Sequence, residues 1–234
     1  MSRGQLVKKA VVKTIPVMSG YIVLGMGFGI ILEESGYGVI WALLMSMFIY
    51  AGSMQFVAIN LITSGASLIA TALTTLMVNA RHLFYGISMI EKYKGAGKKK
   101  PYLMFALTDE TYSLVCTGEA PEGADYHQFC LAVSALNQFY WVLGSVIGSL
   151  AGQAITFDTT GLDFAMTAFF VTVFVDQWKT AKNHLPALVG IGASVVCLLI
   201  FGSGNFLIPS MIAITVILSL GKNKMDVKGE DDNE

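Results

Sequence analysis

Three charged side chains stand inside apolar stretches of the chain and are its first candidates for chemistry. Arg81 lies in a hydrophobic segment shortly before a lysine-rich loop, and Asp109 and Glu110 are neighbours in the stretch 105–113. At mid-membrane depth an arginine costs at least about 2.5–3.5 kcal/mol unless it meets a partner or water. We therefore expect Arg81 to pair with one of the two carboxylates.

The pair has two possible roles. Arg81 contacts a substrate or a coupling proton, or else it is a structural ion pair that holds two helices together. A carboxylate that alternates between an arginine and a proton can couple transport to a proton gradient, and a static salt bridge is the alternative. On a continuous helix Asp109 shares a face with Phe105, whereas Glu110 shares a face with Ser113. Only one carboxylate is therefore expected to be central.

Uncharged polar residues at similar depth complete the candidate site. Amide and indole groups can bind a solute or satisfy backbone groups freed by a broken helix. The substrate-binding candidates beside Arg81 are Gln55, Asn79, Asn137 and Trp141. Asn137 and Trp141 share a helical face with Gly144 and Gly148, for which helix packing is the favoured interpretation.

Histidine and cysteine patterns indicate neither a metal nor a cofactor. His82 follows Arg81 and could titrate, although a lone membrane histidine is more often a packing residue. His82, His127 and His184 are too far apart for a metal motif. The three cysteines are scattered in apolar stretches, as small core residues are.

The composition requires a second apolar phase around the protein. Hydrophobic residues make up 54% of the 234 positions and charged residues only 13%, against about 25% charged in soluble domains. The net charge of −1 and the absence of a basic–aromatic motif argue against nucleic acid. We expect a helical protein embedded in a lipid bilayer.

Windows of about 20 apolar residues predict an all-α polytopic transmembrane bundle of seven to eight segments. The predicted spans are 14–32, 38–62, 66–90, 101–118, 128–151, 161–178, 185–201 and 205–221. Residues 1–13 form a basic cytoplasmic segment, 14–221 a single transmembrane domain, and 222–234 a polar, disordered tail.

Orientation is not decided by the sequence. The N-terminal segment carries four basic residues and the loop 92–100 carries five, and both favour the cytoplasmic side. If three segments cross the membrane between these two basic groups, the groups lie on opposite sides. One re-entrant segment would place both groups on the same side. Interruptions at 51–55 and 79–82 favour discontinuous or re-entrant helices, which transporters use at their binding sites.

Several of these motifs resemble the AzlC family of membrane proteins. Tyr50–Phe56 resembles its AGxxQF stretch, and Val78–Gly86 resembles its NxRHxLYG motif with phenylalanine in place of the usual leucine. Leu107–Thr111 resembles its TDE motif, and Asn137–Gly148 and Leu162–Lys179 resemble its later spans. The resemblance covers about residues 14 to 220, with the motifs in the order found in the family.

The resemblance implies a multi-pass protein of the cell membrane that exports branched-chain or other aliphatic amino acids. It also implies an ion gradient as the driving force and a small AzlD-like membrane subunit as a partner. The alternatives are a solute channel and a membrane subunit without transport of its own. No hydrolase elbow or His-Glu-x-x-His motif indicates an enzyme.

The residues and the resemblance agree on a mechanism. Arg81 would bind the carboxylate of a zwitterionic amino acid, and Asp109 or Glu110 would bind its ammonium group or carry a proton. An apolar side chain needs only a hydrophobic pocket. Candidates for its walls are Phe28, Phe56, Phe105 and Trp141.

Overall fold

The computed structural model describes residues 1–154, 183–202 and 206–226, together with 171, 174–175, 178–179 and 181. The chain divides into two compact units, Met1–Met166 and Thr167–Glu234. All regular elements in the described ranges are helical, which confirms the predicted all-α class. The helices are α1 (Arg3–Glu34), α2 (Val39–Phe48), α3 (Gly52–Thr63), α4 (Leu68–Val78), α5 (Ala80–Met89), α6 (Lys100–Phe105), α7 (Asp109–Val115), α8 (Tyr126–Ala154), α9 (Leu185–Phe201) and α10 (Leu207–Asp226).

Two of these helices, α1 and α8, are long and apolar enough to cross a membrane. α1 begins earlier than the predicted first span because Ser2 and Gln5 form a capping box, so the basic N-terminal residues lie on its first turns. In the second unit, α10 extends to Asp226 and includes the start of the predicted tail. The predicted span 161–178 lies almost entirely outside the described residues.

α1 and α8 are parallel and form the scaffold of the first unit. A Cβ on Gly25 would lie 2.9 Å from the Trp141 carbonyl oxygen, and one on Gly29 would collide with the Ser145 carbonyl. In return, Gly144 and Gly148 face the backbone of α1 at Ile22 and Met26. The predicted packing role of Gly144 and Gly148 is confirmed, whereas a Cβ on Gly27 of α1 would have no neighbour within 4 Å. Small residues allow such backbone approach in membranes.

Three of the predicted spans are broken. The span 38–62 separates into α2 and α3 around Tyr50, and the span 66–90 separates into α4 and α5 at Asn79. Both predicted interruptions are therefore confirmed. The span 101–118 was expected to be continuous, but it breaks between Phe105 and Asp109. The expected shared face of Phe105 and Asp109 is wrong, because the two residues belong to different helices.

α2 and α3 fold back on each other as a hairpin. Gln55 Nε2 donates to Ser46 Oγ at 3.3 Å, although nine residues of continuous helix would separate the two positions by about 13 Å. Met47 contacts Gln138 on α8 through its carbonyl oxygen. Tyr50, between the helices, has a φ of 42°, a left-handed conformation that is strained for a tyrosine. We call this pair of helices the first hairpin and Ile49–Ala51 its tip.

α6 and α7 form a second hairpin, with Ala106–Thr108 as its tip. Leu103 before the tip and Val115 after it are both fully buried in one hydrophobic cluster. That cluster also contains Ala10 near the start of α1 and Phe129 near the start of α8. The second hairpin therefore enters and leaves at the end of the unit where α1 and α8 begin.

The end where α1 and α8 begin is also where most of the basic residues lie. Met89 and Tyr93 join the same cluster, so the loop that follows α5 reaches this end. Four basic residues on α1 and five lysines at 92–100 are gathered here, and we call it the basic end. At the opposite end α1 finishes with Glu33 and Glu34, and the described residues of the first unit carry no lysine or arginine there.

The path through the first unit follows from these contacts. α1 runs from the basic end to the opposite end, and the first hairpin enters and leaves at the opposite end. α4 and α5 return to the basic end, the second hairpin enters and leaves there, and α8 runs back beside α1. The two hairpins thus approach the middle of the unit from opposite directions.

Candidate functional site

Arg81 joins the tips of the two hairpins. It stands at the start of α5, directly after the break at Asn79. Arg81 Nη2 donates to Ser53 Oγ on the first hairpin at 3.0 Å, and Arg81 Nη1 forms a salt bridge with Asp109 Oδ2 on the second hairpin. The side chains of Arg81 and Asp109 are 36% and 23% exposed, so the pair is accessible from one side.

Asp109 and Glu110 occupy the first turn of α7, where the helix dipole favours negative charge. Thr108 caps this turn by accepting from the Thr111 amide at 3.2 Å. The helix start orients the two carboxylates differently, because Asp109 faces Arg81 whereas Glu110 accepts a 2.6 Å hydrogen bond from the Tyr21 hydroxyl. The expected ion pair of Arg81 with one of the carboxylates is present, and its partner is Asp109.

A chain of hydroxyl groups leads from Glu110 into the core. Tyr21 OH lies 2.7 Å from Thr108 Oγ1, and Thr108 Oγ1 lies 3.0 Å from Thr111 Oγ1. Asn137 of α8, which is fully buried, donates from Nδ2 to Thr111 Oγ1 at 3.0 Å. Asn137 is therefore linked to the second hairpin and only indirectly to Arg81.

Gln55 and Trp141 are bonded to each other. Trp141 Nε1 donates to Gln55 Oε1 at 2.9 Å, and both side chains are almost completely buried. The Trp141 ring also stacks on Phe28, with centroids 6.4 Å apart, and Phe28 meets Phe56 edge to face. These contacts fix the first hairpin to α1 and α8.

Asn79 and His82 lie beside Arg81 at the break between α4 and α5. The Asn79 side chain makes no capping bond to α5, whereas its carbonyl oxygen is 3.3 Å from His82 Nδ1. The His82 ring packs edge to face on Tyr85. Among the described contacts, His82 makes no salt bridge with either carboxylate.

Several polar atoms near the tips are buried without a hydrogen-bond partner in the described part of the chain. They include Arg81 Nε, Asp109 Oδ1, Asn137 Oδ1 and the Tyr50 hydroxyl. Buried polar atoms are normally paired, so each such atom calls for an explanation. Unused donors and acceptors beside an ion pair suit a site that receives a polar solute or water.

Sequence reasoning did not identify Tyr21, Ser53 or Thr108 as parts of this region. Thr108 had a detectable signal, because a threonine directly before two acidic residues is typical of a helix N-cap. Ser53 lies in the predicted interruption 51–55, but its partner Arg81 is 28 positions away, and Tyr21 had no signal, since its role depends on a contact with a residue 89 positions away.

The similarity of this chain to known proteins covers the regions described above. The family model described as AzlC protein matches residues 16–155. The chain is 44% identical to the branched-chain amino acid transport protein AzlC of Bacillus subtilis (strain 168), over 91% of this chain and 84% of that protein. It is 42% identical to an uncharacterized membrane protein of Helicobacter pylori (strain ATCC 700392 / 26695), over 94% and 96% of the two chains. No solved structure matches the chain.

The broken helices, the charged group between the two tips and the membrane-protein relatives define a class, that of the all-α membrane bundles. Within this class the family is established by the model match and by the extent of the identity. The chain belongs to the AzlC family. A more distant relative, the inner membrane protein YgaZ of Escherichia coli (strain K12), is 27% identical over 78% of each chain.

Proposed function

We propose that this chain is a multi-pass transporter of the cell membrane that exports branched-chain or other aliphatic amino acids. The observation that carries the proposal is the Arg81–Asp109 ion pair at the meeting point of two hairpin tips. An arginine and a carboxylate that face each other suit the carboxylate and the ammonium group of a zwitterion, each of which can replace one partner of the pair. The name of the Bacillus subtilis relative supports amino acids of this class as the substrate.

Placing the basic end in the cytoplasm accounts for the distribution of charge. The first hairpin does not cross the membrane, so only α1 and the α4–α5 segment cross between the N-terminus and the lysine loop. Both basic groups then lie on one side, as the positive-inside rule requires. In this arrangement the first hairpin enters from outside and the second from the cytoplasm.

The substrate site is formed around the tips. Arg81 binds the substrate carboxylate, with Asn79 and Asn137 as polar neighbours, and Asp109 receives the ammonium group. Gln55 of the first hairpin and Trp141 of α8 form one wall, since their polar atoms are already bonded to each other. Proton coupling is assigned to the acidic residues, with His82 as a third candidate, and a small AzlD-like membrane subunit is the proposed partner.

The test is efflux of labelled leucine and methionine from proteoliposomes that contain the chain and its small partner. We expect saturable efflux that depends on a pH gradient and is lost in Arg81→Ala. Lys94→Ala is the matched control, because Lys94 also pairs with a carboxylate but is 79% exposed. Unsaturable flux would indicate a channel. Normal efflux by well-expressed Arg81→Ala and Asp109→Asn variants would refute the site.

A further inference from the structure

Glu110 differs from Asp109 in having no cationic partner in the described part of the chain. The Glu110 side chain is exposed, although it lies directly after the tip of the second hairpin, in the middle of the first unit. Ser113 and Thr117, one and two turns nearer the basic end, are exposed on the same side of this segment. An exposed carboxylate in hydrocarbon would be very costly, so a row of exposed polar groups at this depth requires water.

We propose that Glu110 is the group that carries the coupling proton, and that it exchanges this proton with water entering from the basic end along Ser113 and Thr117. The inference rests on the proposed function and separates the roles of the two neighbouring carboxylates. Asp109, the partner of Arg81, keeps its role as a substrate ligand. Glu110 releases one proton to water on the side of the basic end, forming hydronium, and takes one proton from hydronium of the opposite side when the site opens there, and no other bond is made or broken.

The hydroxyl groups of Tyr21, Thr108 and Thr111 respond to the proton on Glu110 through their hydrogen bonds. When Glu110 is ionised, Tyr21 donates to it, and the Tyr21 and Thr108 oxygens lie 2.7 Å apart while Thr108 donates to Thr111. When Glu110 is protonated, it donates to Tyr21, and the Tyr21 proton turns to Thr108. Thr111 is the residue that holds Asn137. A proton on Glu110 thereby changes the hydrogen bonds of Tyr21 and Thr108, and Thr108 is two links away from Asn137 in this chain.

Other groups also act on Glu110, and the proposal includes them. Tyr21 of α1 and Tyr50 at the first tip interact with it electrostatically, as do His82 and Tyr85 of α5. The Arg81–Asp109 pair is its charged neighbour, with Asp109 adjacent in sequence.

The first experiment compares Glu110→Gln with wild type in the same proteoliposomes, together with the small partner. We expect gradient-driven efflux to fall about tenfold or more, and the remaining amino-acid exchange to become independent of pH. Tyr21→Phe should shift the pH profile of efflux, a change that loss of packing alone does not produce. Gradient-driven efflux that persists in Glu110→Gln would overturn the inference. Absence of amino-acid flux in wild type would instead overturn the proposed function.

The second experiment tests the water path. In a background with Cys116, Cys130 and Cys197 replaced by alanine, Ser113→Cys and Thr117→Cys are treated with a membrane-impermeant thiol reagent from each side. We expect labelling only from the side of the basic end. Ile87→Cys is the control, because this side chain is 66% exposed but lies on an apolar face. Labelling of Ser113→Cys and Thr117→Cys no faster than that of Ile87→Cys would contradict the water path.

Discussion

The two hairpins of the first unit have similar shapes and different chemistry. The first hairpin is uncharged at its tip, and Gln55 and Trp141 tie it to the scaffold with bonds that leave few polar atoms free. The second hairpin presents Asp109 and Glu110 at the start of α7, and the partners of these two carboxylates are side chains from α5 and α1. Both tips are packed, since Leu107 at the second tip belongs to the hydrophobic cluster of the basic end, but only the second hairpin carries charges beside its tip.

The contrast indicates that the two hairpins have different roles in the site. An anchored tip is a fixed wall, because moving it would break buried hydrogen bonds and an aromatic cluster. A tip that is held by an ion pair can change its contacts when a proton or a zwitterion competes for those charges. The first hairpin thus defines the shape of the site, and the charged side chains of the second hairpin are expected to exchange partners during transport.

The largest effect is expected at the ion pair between the tips. Arg81→Gln and Asp109→Asn should each reduce transport about 10- to 100-fold, the equivalent of one charge-assisted hydrogen bond. The double variant Arg81→Gln/Asp109→Asn removes both charges and leaves no unpaired ion. If the pair binds substrate, the double variant is folded but inactive in the efflux assay. Recovery of transport in the double variant would show that the pair is only structural.

The first hairpin can be fixed only if α1 and α8 are packed firmly together. Substitutions of glycines in α1 test this packing. Gly29→Ala places a methyl group against the α8 backbone at Ser145 and Ser149, and overpacking of this kind costs about 1–3 kcal/mol. Gly27→Ala is the matched control, because nothing lies within 4 Å of its Cβ. Thermal unfolding in detergent should show a lower Tm for Gly29→Ala only. Equal melting of the two variants would contradict the close approach of α1 and α8.

The anchor of the first hairpin can be weakened at one hydrogen bond. Gln55→Leu keeps the volume but leaves the Trp141 indole N–H without its acceptor. A cycle with Trp141→Phe should give a coupling energy of about 0.6–1.7 kcal/mol, as interhelical bonds in membranes do. The quantity to measure is the free energy of unfolding of the four proteins. Additive effects would mean that this bond does not hold the hairpin.

The smallest effect is expected at the first tip itself. The Tyr50 hydroxyl is buried near Tyr21 and Thr111 without hydrogen-bond geometry. Tyr50→Phe should therefore change the free energy of unfolding by less than about 1 kcal/mol, and efflux should stay close to wild type. A loss of transport as large as that of Arg81→Gln would mean that the uncharged tip matters as much as the charged residues. That result would contradict the contrast between the two hairpins.

The sequence alone determined that this protein is an all-α membrane protein, and it identified Arg81 and the two carboxylates. Composition and the length of the apolar runs predict the membrane class, because a bilayer requires long apolar helices. The charged residues stand out because burying a charge in a membrane is costly. Local chemistry also located the breaks near Tyr50 and Asn79, where glycine, serine and asparagine interrupt the apolar pattern.

Only the tertiary structure decided how the broken segments are arranged. A break in a helix looks the same in sequence whether the chain continues across the membrane or turns back, and the bond between Gln55 and Ser46 distinguishes the two. The choice of Asp109 over Glu110 as the partner of Arg81 depends on the break before α7, which rotates both side chains away from a continuous helical pattern. Tyr21 joined the site for the same reason, since contacts across 89 positions are set by packing and leave no local signal.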